Sequence, residues 1–204
     1  AQRQSRMKHP YIHVGHSGGR LMPVLNIAMV GSDDLAREIA KPTDQRDVHT
    51  YVHKESDADG PRILSIIRPA KYPERLRPFL NALSAARVGI IEIERIDATL
   101  GEALVAFASS NLTKGMAIIN APDGEWVDED QAKMLFKQAG LGEWTFAKGD
   151  GIELRTILYG FMDSIADELK ANAEAPLVIP VDQHFNVKGI GLVAIGYVQS
   201  GTVN

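Results

Sequence analysis

The sequence predicts an α/β protein with a mostly parallel six-stranded sheet, helices on both faces of it, and the first strands of a β-barrel after it. The first observation is that short apolar runs alternate with amphipathic segments through most of the 204 residues. Such alternation is typical of a parallel sheet between two helix layers. The second is that two strand-like segments follow one another without a helix near the end of the chain, which indicates a separate β unit. The third is the composition, because 45% apolar and 24% charged residues are ordinary values for a folded domain.

Short apolar runs bounded by turn residues predict most of the strands, since a strand covered on both faces has no polar side. Val48–His53 alternates apolar and polar residues instead, which predicts an edge-like strand. The other predicted strands are Leu25–Val30, Ile63–Ile67, Val88–Ile93, Met116–Ile119 and the short Trp144–Phe146.

Apolar residues at helical spacing predict the helices between these strands. In the segment 74–86, four apolar residues recur at positions i, i+3, i+4 and i+7. Asp128 is a capping residue for a helix that ends at Ala139, and Gly140 is its terminator. The other predicted helices are Leu35–Ala40, Thr99–Ser110 and Arg155–Ala173.

Three segments of the chain differ in composition. Residues 1–24 contain four basic and no acidic residues without any period, which predicts a flexible basic extension. Residues 25–174 contain the alternating pattern, and residues 175–204 contain the strand-like Leu177–Val181 and Gly189–Val198. The third segment predicts the beginning of a truncated β-barrel domain, because two strands cannot close a barrel.

Charge and cysteine content exclude several classes of protein. The net charge is −4 overall and −8 over residues 25–204, so bulk electrostatics do not favour nucleic acid. The absence of cysteine excludes a disulfide framework, thiol catalysis and cysteine-ligated zinc. No apolar run approaches the roughly 20 residues that a membrane helix needs, and the first residues lack an apolar signal core. The expectation is a cytoplasmic protein with no membrane partner.

A glycine-rich pattern near the end of the chain, F-x-V-x-G-x-G-x-V-x-x-G, is carried by Phe185, Val187, Gly189, Gly191, Val193 and Gly196. It resembles the start of the second domain of the translational GTPase family. Within that family the likeness is greatest to elongation factor Tu and the archaeal selenocysteine-specific elongation factors. The resemblance covers residues 25–204. It implies a P-loop-NTPase-like G domain before the pattern, an archaeal source, and the ribosome or aminoacyl-tRNA as partners.

The family's phosphate loop, G-x-x-x-x-G-K-[ST], aligns with the segment after the first strand. Gly31 is retained and Arg37 keeps a positive charge, but alanine stands at the second glycine and Glu38 replaces the hydroxyl that holds Mg²⁺. Asp33, Asp34 and Glu38 outweigh Arg37, so the loop carries a net charge of −2. The resemblance therefore implies a weak or vestigial nucleotide site at Gly31, Asp34 and Arg37, because acidic residues repel phosphate.

The family's D-x-x-G motif and the water-positioning histidine after it align with Arg68, Lys71 and Tyr72. A cation at the first position repels Mg²⁺, and the tyrosine is a poor group for orienting water. We therefore expect no catalytic residues and no metal ligands. Arg75 and Arg77 extend the basic segment. Two interpretations stay open for it: a contact with phosphate of another kind, such as RNA, or the solvated start of a helix.

The guanine-reading motif N-K-x-D survives in part, with Asn120 and Asp123 in place and alanine at the lysine position. The companion S-A-K aligns with a segment that contains Ala147 and Lys148. The resemblance implies weak base contacts from these four residues. The alternative is that Asn120 and Asp123 are plain turn residues, since P-D-G is a common turn sequence.

These observations favour a translation-factor-like binding protein with an eroded GTP site, associated with the ribosome or with tRNA and unable to hydrolyse GTP. No cofactor is expected, and GTP or GDP would bind weakly. The alternative is an active GTPase that delivers an aminoacyl-tRNA, with Arg37 in the role of the missing lysine. A third class, an unrelated enzyme on a similar sheet, has no supporting hydrolase, zinc or dinucleotide motif in the sequence.

Overall fold

The computed structural model describes residues 24–58, 60–110, 112–171, 174–179, 181–188, 191–196 and 200–201. The predicted extension lies outside the described residues, apart from Val24 at its end. Gly189 of the glycine-rich pattern also lies outside them.

A seven-stranded sheet forms the centre of the described chain. Its strands are β1 (Val24–Val30), β2 (Lys41–Gln45), β3 (Val48–Asp57), β4 (Gly60–Pro69), β5 (Val88–Ile93), β6 (Lys114–Ile119) and β7 (Thr145–Ala147). They lie in the order β2-β3-β4-β1-β5-β6-β7. Five neighbouring strands run parallel: β4, β1, β5, β6 and β7. Strand β3 is antiparallel to β4, and β2 is antiparallel to β3. The predicted α/β class and the mostly parallel sheet are confirmed.

The predicted number of six strands was wrong, because β2 adds a strand outside β3. Its sequence, KPTDQ, is mostly exposed and carries no apolar pattern. Pairing of β2 depends on backbone hydrogen bonds to β3, and Pro42 is tolerated because an edge strand needs only one row of them. Val48–His53 is therefore the second strand and not the edge.

Helices cover both faces of the sheet, as predicted. The helices of the described residues are α1 (Asp33–Ile39), α2 (Leu76–Ala85), α3 (Ala98–Ser109), α4 (Glu129–Gln138) and α5 (Gly151–Ala171). One face packs on α1 and α5 through a core that includes Leu25, Ile27 and Leu158. The opposite face packs on the other three helices through an aromatic core that includes Phe107 and Trp144.

The predicted cap of α4 is confirmed. Asp128 accepts hydrogen bonds from the backbone N–H groups of Asp130 and Gln131 at 2.9 and 3.1 Å. Gly140 follows the helix with a φ of 86°, the left-handed conformation that a helix terminator needs.

Trp144 lies across two neighbouring strands at positions that only glycine can occupy. A Cβ at Gly89 would lie 2.2 Å from Trp144 Cη2, and one at Gly115 would lie 2.5 Å from Trp144 Cδ2. The indole is 4% exposed, and its N–H donates to the Leu112 carbonyl at 3.2 Å. The two glycines therefore create the space in which the indole packs on the sheet.

A separate antiparallel pair follows the helices, formed by β8 (Val181–Val187) and β9 (Gly191–Gly196). The predicted strand Leu177–Val181 was placed too early, because Val178 makes an isolated bridge to Ser200 and the ladder begins at Val181. The domain boundaries at residues 24 and 174 stay predictions.

Candidate functional site

The carboxyl ends of the parallel strands form the candidate site. The chain leaves β1 for α1 on one face of the sheet, and it leaves β5 for α3 on the opposite face. Because the two connections diverge, a crevice opens between the ends of these neighbouring strands. Ligands of open α/β sheets bind at such a switch point.

The turn between β1 and α1 is short. Gly31 and Ser32 are the two residues between the strand and the helix, so residues 33–39 are helical. Ala36, aligned with the second glycine of a phosphate loop, is fully buried in α1. Arg37 donates from Nε to Asp33 one turn earlier, and Asp34 is exposed in the first turn. The segment that aligns with a phosphate loop is therefore mostly helix.

Glu92, near the end of β5, occupies the space beside this turn. Its carboxylate is buried, with 7% of the residue exposed, and accepts from the Ser32 backbone N–H. The other carboxylate oxygen accepts from Asn120 Nδ2 at 2.6 Å. A Cβ at Gly31 would lie 2.8 Å from Glu92 Cβ, so the glycine permits this close approach.

Sequence reasoning missed Glu92. The available signal was an acid inside the apolar strand sequence VGIIEI, all six residues of which are buried. A buried carboxylate needs hydrogen-bond donors, and two of them come from segments that follow the neighbouring strands β1 and β6. Of the residues in the predicted nucleotide site, the structure brings Gly31 and Asn120 together at Glu92.

Arg68, at the end of β4, lies against the same turn from the other side. Its Nε donates to the Gly31 carbonyl at 2.6 Å, and its Nη1 is 3.5 Å from His49 Nδ1. Arg68, which aligns with the family's magnesium-linked aspartate, therefore stabilises the β1–α1 turn through this hydrogen bond. Tyr72, farther along, donates from its hydroxyl to the Thr99 carbonyl at 3.2 Å.

Asp33 is the centre of a polar cluster at the start of α1. The buried Tyr51 hydroxyl and Arg37 Nε both donate to its carboxylate, and His49 Nδ1 lies 3.8 Å away. The Tyr51 hydrogen bond, and after it the Arg37 hydrogen bond, lowers the pKa of Asp33. Burial, followed by the bond to Asp33, raises the pKa of Tyr51. Asp33 is therefore ionised and already paired within the protein.

Asp33→Asn is expected to lower the free energy of unfolding at neutral pH by up to about 1 kcal/mol, since a partly exposed ion pair is lost. Because its pKa is lowered in the folded chain, the native carboxylate stabilises the fold above its unfolded pKa. This contribution disappears as pH falls through the folded pKa. In urea unfolding measured from neutral pH to about pH 2, the free energy of unfolding should fall less with acidification in this variant than in the wild type. Asp34→Asn, at the exposed next residue, is the control, and an identical acid loss in both variants would contradict the assignment.

The remaining residues of the predicted site have other contacts. Asp123 is exposed in a turn in which Glu125 N donates to the Pro122 carbonyl at 2.9 Å. Ala147 is buried in β7, and Lys148 Nζ lies 2.6 Å from Glu129 Oε2. Hydrogen bonds from Lys133 and Lys148 lower the pKa of Glu129 to about 2. Lys148 is therefore engaged at the start of α4, whereas Asn120 is engaged at Glu92.

A cavity of about 400 Å³ opens beside Glu92, between the ends of β1 and β5 and the start of α3. Glu94 and Asp97 add two more carboxylates to its lining, and Tyr72 lines it from the loop before α2. Within the described part of the chain, no group of three histidine or acidic side chains has the arrangement to hold a metal ion. Among the helices described, none is long and apolar enough to cross a membrane.

Comparison with known sequences gives one uncharacterized relative. No model of a known protein family matches the chain. A protein of Methanocaldococcus jannaschii, itself uncharacterized, is 25% identical over 183 residues, which are 89% of this chain and 55% of that protein. The chain thus spans about half the length of the curated relative that it matches.

Comparison with solved structures gives the fold. The bacterial selenocysteine-specific elongation factor EF-Sec superposes with a TM-score of 0.55 and 21% identity, over 88% of this chain and 35% of that one. The elongation factor SelB from Methanococcus maripaludis, in complex with the GTP analogue GppNHp, superposes with a TM-score of 0.51 and 16% identity. That match covers 88% of this chain and 43% of SelB. This chain therefore resembles, in fold, the G domain of the selenocysteine-specific elongation factors and the domain that follows it.

Proposed function

We propose that the chain is part of a translation-elongation-factor-like protein that associates with the ribosome or with tRNA and does not hydrolyse GTP. The fold supports the translation-factor part of this proposal. The observation that carries the second part is the Glu92 carboxylate, which accepts the Ser32 N–H at the β1–α1 turn. Phosphate groups in nucleotide-binding α/β folds are held at this turn.

The β1–α1 turn offers a phosphate little to bind. A phosphate loop surrounds its ligand with several free backbone N–H groups, whereas two residues separate strand and helix here. Glu92 already occupies the N–H of Ser32. Two like charges about 4 Å apart repel by about 4 kcal/mol at an effective dielectric of about 20. A repulsion of that size lowers affinity by roughly a thousandfold.

The two described positions that align with the family's Mg²⁺-binding residues also carry different groups. GTPases lower the barrier mainly by positioning and by compensating charge with Mg²⁺ and cations. Glu38 is exposed at the end of α1, and Arg68 donates a hydrogen bond to the Gly31 carbonyl. The Glu38 carboxylate does not replace the family's Mg²⁺-binding hydroxyl. The Arg68 guanidinium does not replace the family's Mg²⁺-linked carboxylate.

The alternative function is an active GTPase that delivers an aminoacyl-tRNA. The observation that favours it is Arg68, whose guanidinium lies at the β1–α1 turn and supplies positive charge near the place of a phosphate. In that case Glu92 would have to leave the turn when nucleotide enters.

A calorimetric titration with GTP and GDP, with and without Mg²⁺, separates these two functions. We expect no saturable heat below about 1 mM nucleotide and no release of inorganic phosphate above the buffer rate. Micromolar, Mg²⁺-dependent binding would contradict the proposal and favour the alternative.

The partner surface is proposed at the basic start of α2. Lys71, Arg75 and Arg77 are exposed there, next to Leu76 and Leu80, which are 47% and 54% exposed. Exposed cations contact nucleic-acid phosphates, and each contact adds to the salt dependence of binding.

Co-sedimentation with ribosomes at several salt concentrations tests this surface. The double variant Arg75→Glu/Arg77→Glu is expected to bind at least about tenfold more weakly, because two cations become anions. Lys54→Glu/Lys137→Glu, with the same charge change at exposed positions on β3 and α4, is the matched control. Equal loss in both variants, or no sedimentation of the wild-type chain, would contradict the proposal.

A further inference from the structure

We propose that the cavity beside Glu92 binds a small organic cation that carries an apolar group. The cavity has a volume of about 400 Å³, within the usual range of small-molecule sites. Its apolar lining comes from Val30, Ile91, Leu100 and Ala103. Val30 is partly exposed and the other three are nearly buried, so they offer a small surface, enough for a short aliphatic chain or the edge of a ring.

The position of the cavity in the sheet supports a ligand independently of its charge. It lies at the ends of β1 and β5, the neighbouring strands from which the chain departs to opposite faces. The diverging connections leave room there. This is the general place of ligands in open α/β sheets.

The charge of the lining selects the class of ligand. The lining contains three acidic residues, Glu92, Glu94 and Asp97, and one basic residue, Arg95, which also lies 3.8 Å from Glu125 outside the cavity. The Asp97 carboxylate also accepts from the Leu100 N–H at 2.9 Å, at the start of α3. A phosphate or a carboxylate is repelled by this lining, whereas an ammonium or guanidinium group is attracted.

Glu92 retains acceptor capacity for such a cation. Its two carboxylate oxygens accept from Ser32 N–H and from Asn120 Nδ2, one hydrogen bond each. A carboxylate has about four lone-pair sites. By this count about two sites remain, which can accept two of the three N–H donors of an ammonium group.

Tyr72, in the loop before α2, adds an aromatic side chain to the lining of the cavity. Burial, and after it the negative charges of Glu102 and Asp97, raises the pKa of Tyr72 to about 12. The phenol therefore stays neutral at neutral pH. Its hydroxyl is engaged with the Thr99 carbonyl, which orients the ring. A neutral aromatic ring attracts a cation at its face, and a phenolate is not needed for this.

Three probes of one skeleton test the proposal: phenethylamine, phenethyl alcohol and phenylacetate. They share the ring and a two-carbon arm and differ in charge at neutral pH. In titrations followed by calorimetry or by NMR of the protein amides, we expect saturable binding of the amine. The alcohol and the anion should bind at least about tenfold more weakly. No saturation with the amine up to about 10 mM, or equal binding of the anion, would overturn the proposal.

Two variants locate the binding. Glu94→Gln removes an exposed carboxylate of the lining and should weaken amine binding about fivefold or more at low salt. Glu143→Gln, at an exposed carboxylate outside the lining that pairs with no residue of it, should leave amine binding unchanged. Equal effects of the two would show attraction to the general acidic surface and overturn the site.

Because both substitutions are at exposed residues, a circular dichroism spectrum like that of the wild type is expected for each. The proposal does not rest on the function proposed above: the nucleotide titration and the amine titration have separate readouts, and either can fail alone.

Discussion

Gly115→Ala is expected to destabilise the chain by about 3 kcal/mol, and Gly89→Ala by a similar amount, because each new methyl group overlaps the Trp144 indole. The methyl carbon at position 115 would lie 2.5 Å from two indole atoms, and the one at position 89 would lie 2.2 Å from another. Phe107 also limits escape, since its ring centroid lies 5.2 Å from that of the indole. The indole therefore cannot move aside without leaving the core.

Urea unfolding followed by Trp144 fluorescence measures this effect. Trp126, which is 80% exposed, contributes a solvent-like signal and is first replaced by phenylalanine. Gly101→Ala is the matched control, since a Cβ there has no neighbour within 4 Å and the residue lies inside α3. That control should be neutral or stabilising by about 0.5–1 kcal/mol. Equal midpoints for Gly115→Ala and Gly101→Ala would contradict the packing described here.

Glu92→Ala is expected to lower the free energy of unfolding by about 2–4 kcal/mol, because it removes the acceptor of two hydrogen bonds at the carboxyl edge. The Ser32 N–H and the Asn120 amide would both lose their partner. The deleted side chain is also buried, so its loss leaves a space next to Gly31. Urea unfolding of the variant at neutral pH measures the loss.

A pair of substitutions separates the hydrogen bonds from simple packing. Glu92→Gln alone places an amide group against the donors of Ser32 and Asn120, and Asn120→Asp alone places two carboxylates together. In the double variant, the new amide oxygen at position 92 can accept from Ser32, and the new amide NH₂ can donate to the new carboxylate at position 120. We expect a favourable coupling of about 1–2 kcal/mol in this double-mutant cycle. Additive losses would show that the Glu92–Asn120 bond contributes nothing.

The positions of most strands and helices followed from the sequence, because burial on a sheet or a helix face imposes a period that residues close together in the chain display. Val88–Ile93 was predicted to the residue, and Asp128 was recognised as a cap. Lys41–Gln45 was missed, since an exposed edge strand held by backbone hydrogen bonds needs no apolar pattern.

The candidate site was only partly predictable. The pattern around Gly31 and Asn120 directed attention to the carboxyl edge, and both residues do lie there beside Glu92. The phosphate-loop alignment led away from the start of α1 two residues after Gly31, although Ser32 caps the helix and Asp33 and Asp34 lie in its first turn, residue types that favour such a start. Lys148 has its contact with Glu129, on a different element.

By itself, the sequence determined the α/β class, the alternation of elements and the acidic character of the turn after the first strand. The tertiary structure alone decided that Glu92 lies at that turn and beside a cavity. The physical reason is distance along the chain: Glu92 is 60 residues from Ser32 and 28 residues from Asn120. The three residues meet only because parallel strands end at one edge of the sheet, and no local pattern records which of their side chains share a hydrogen bond.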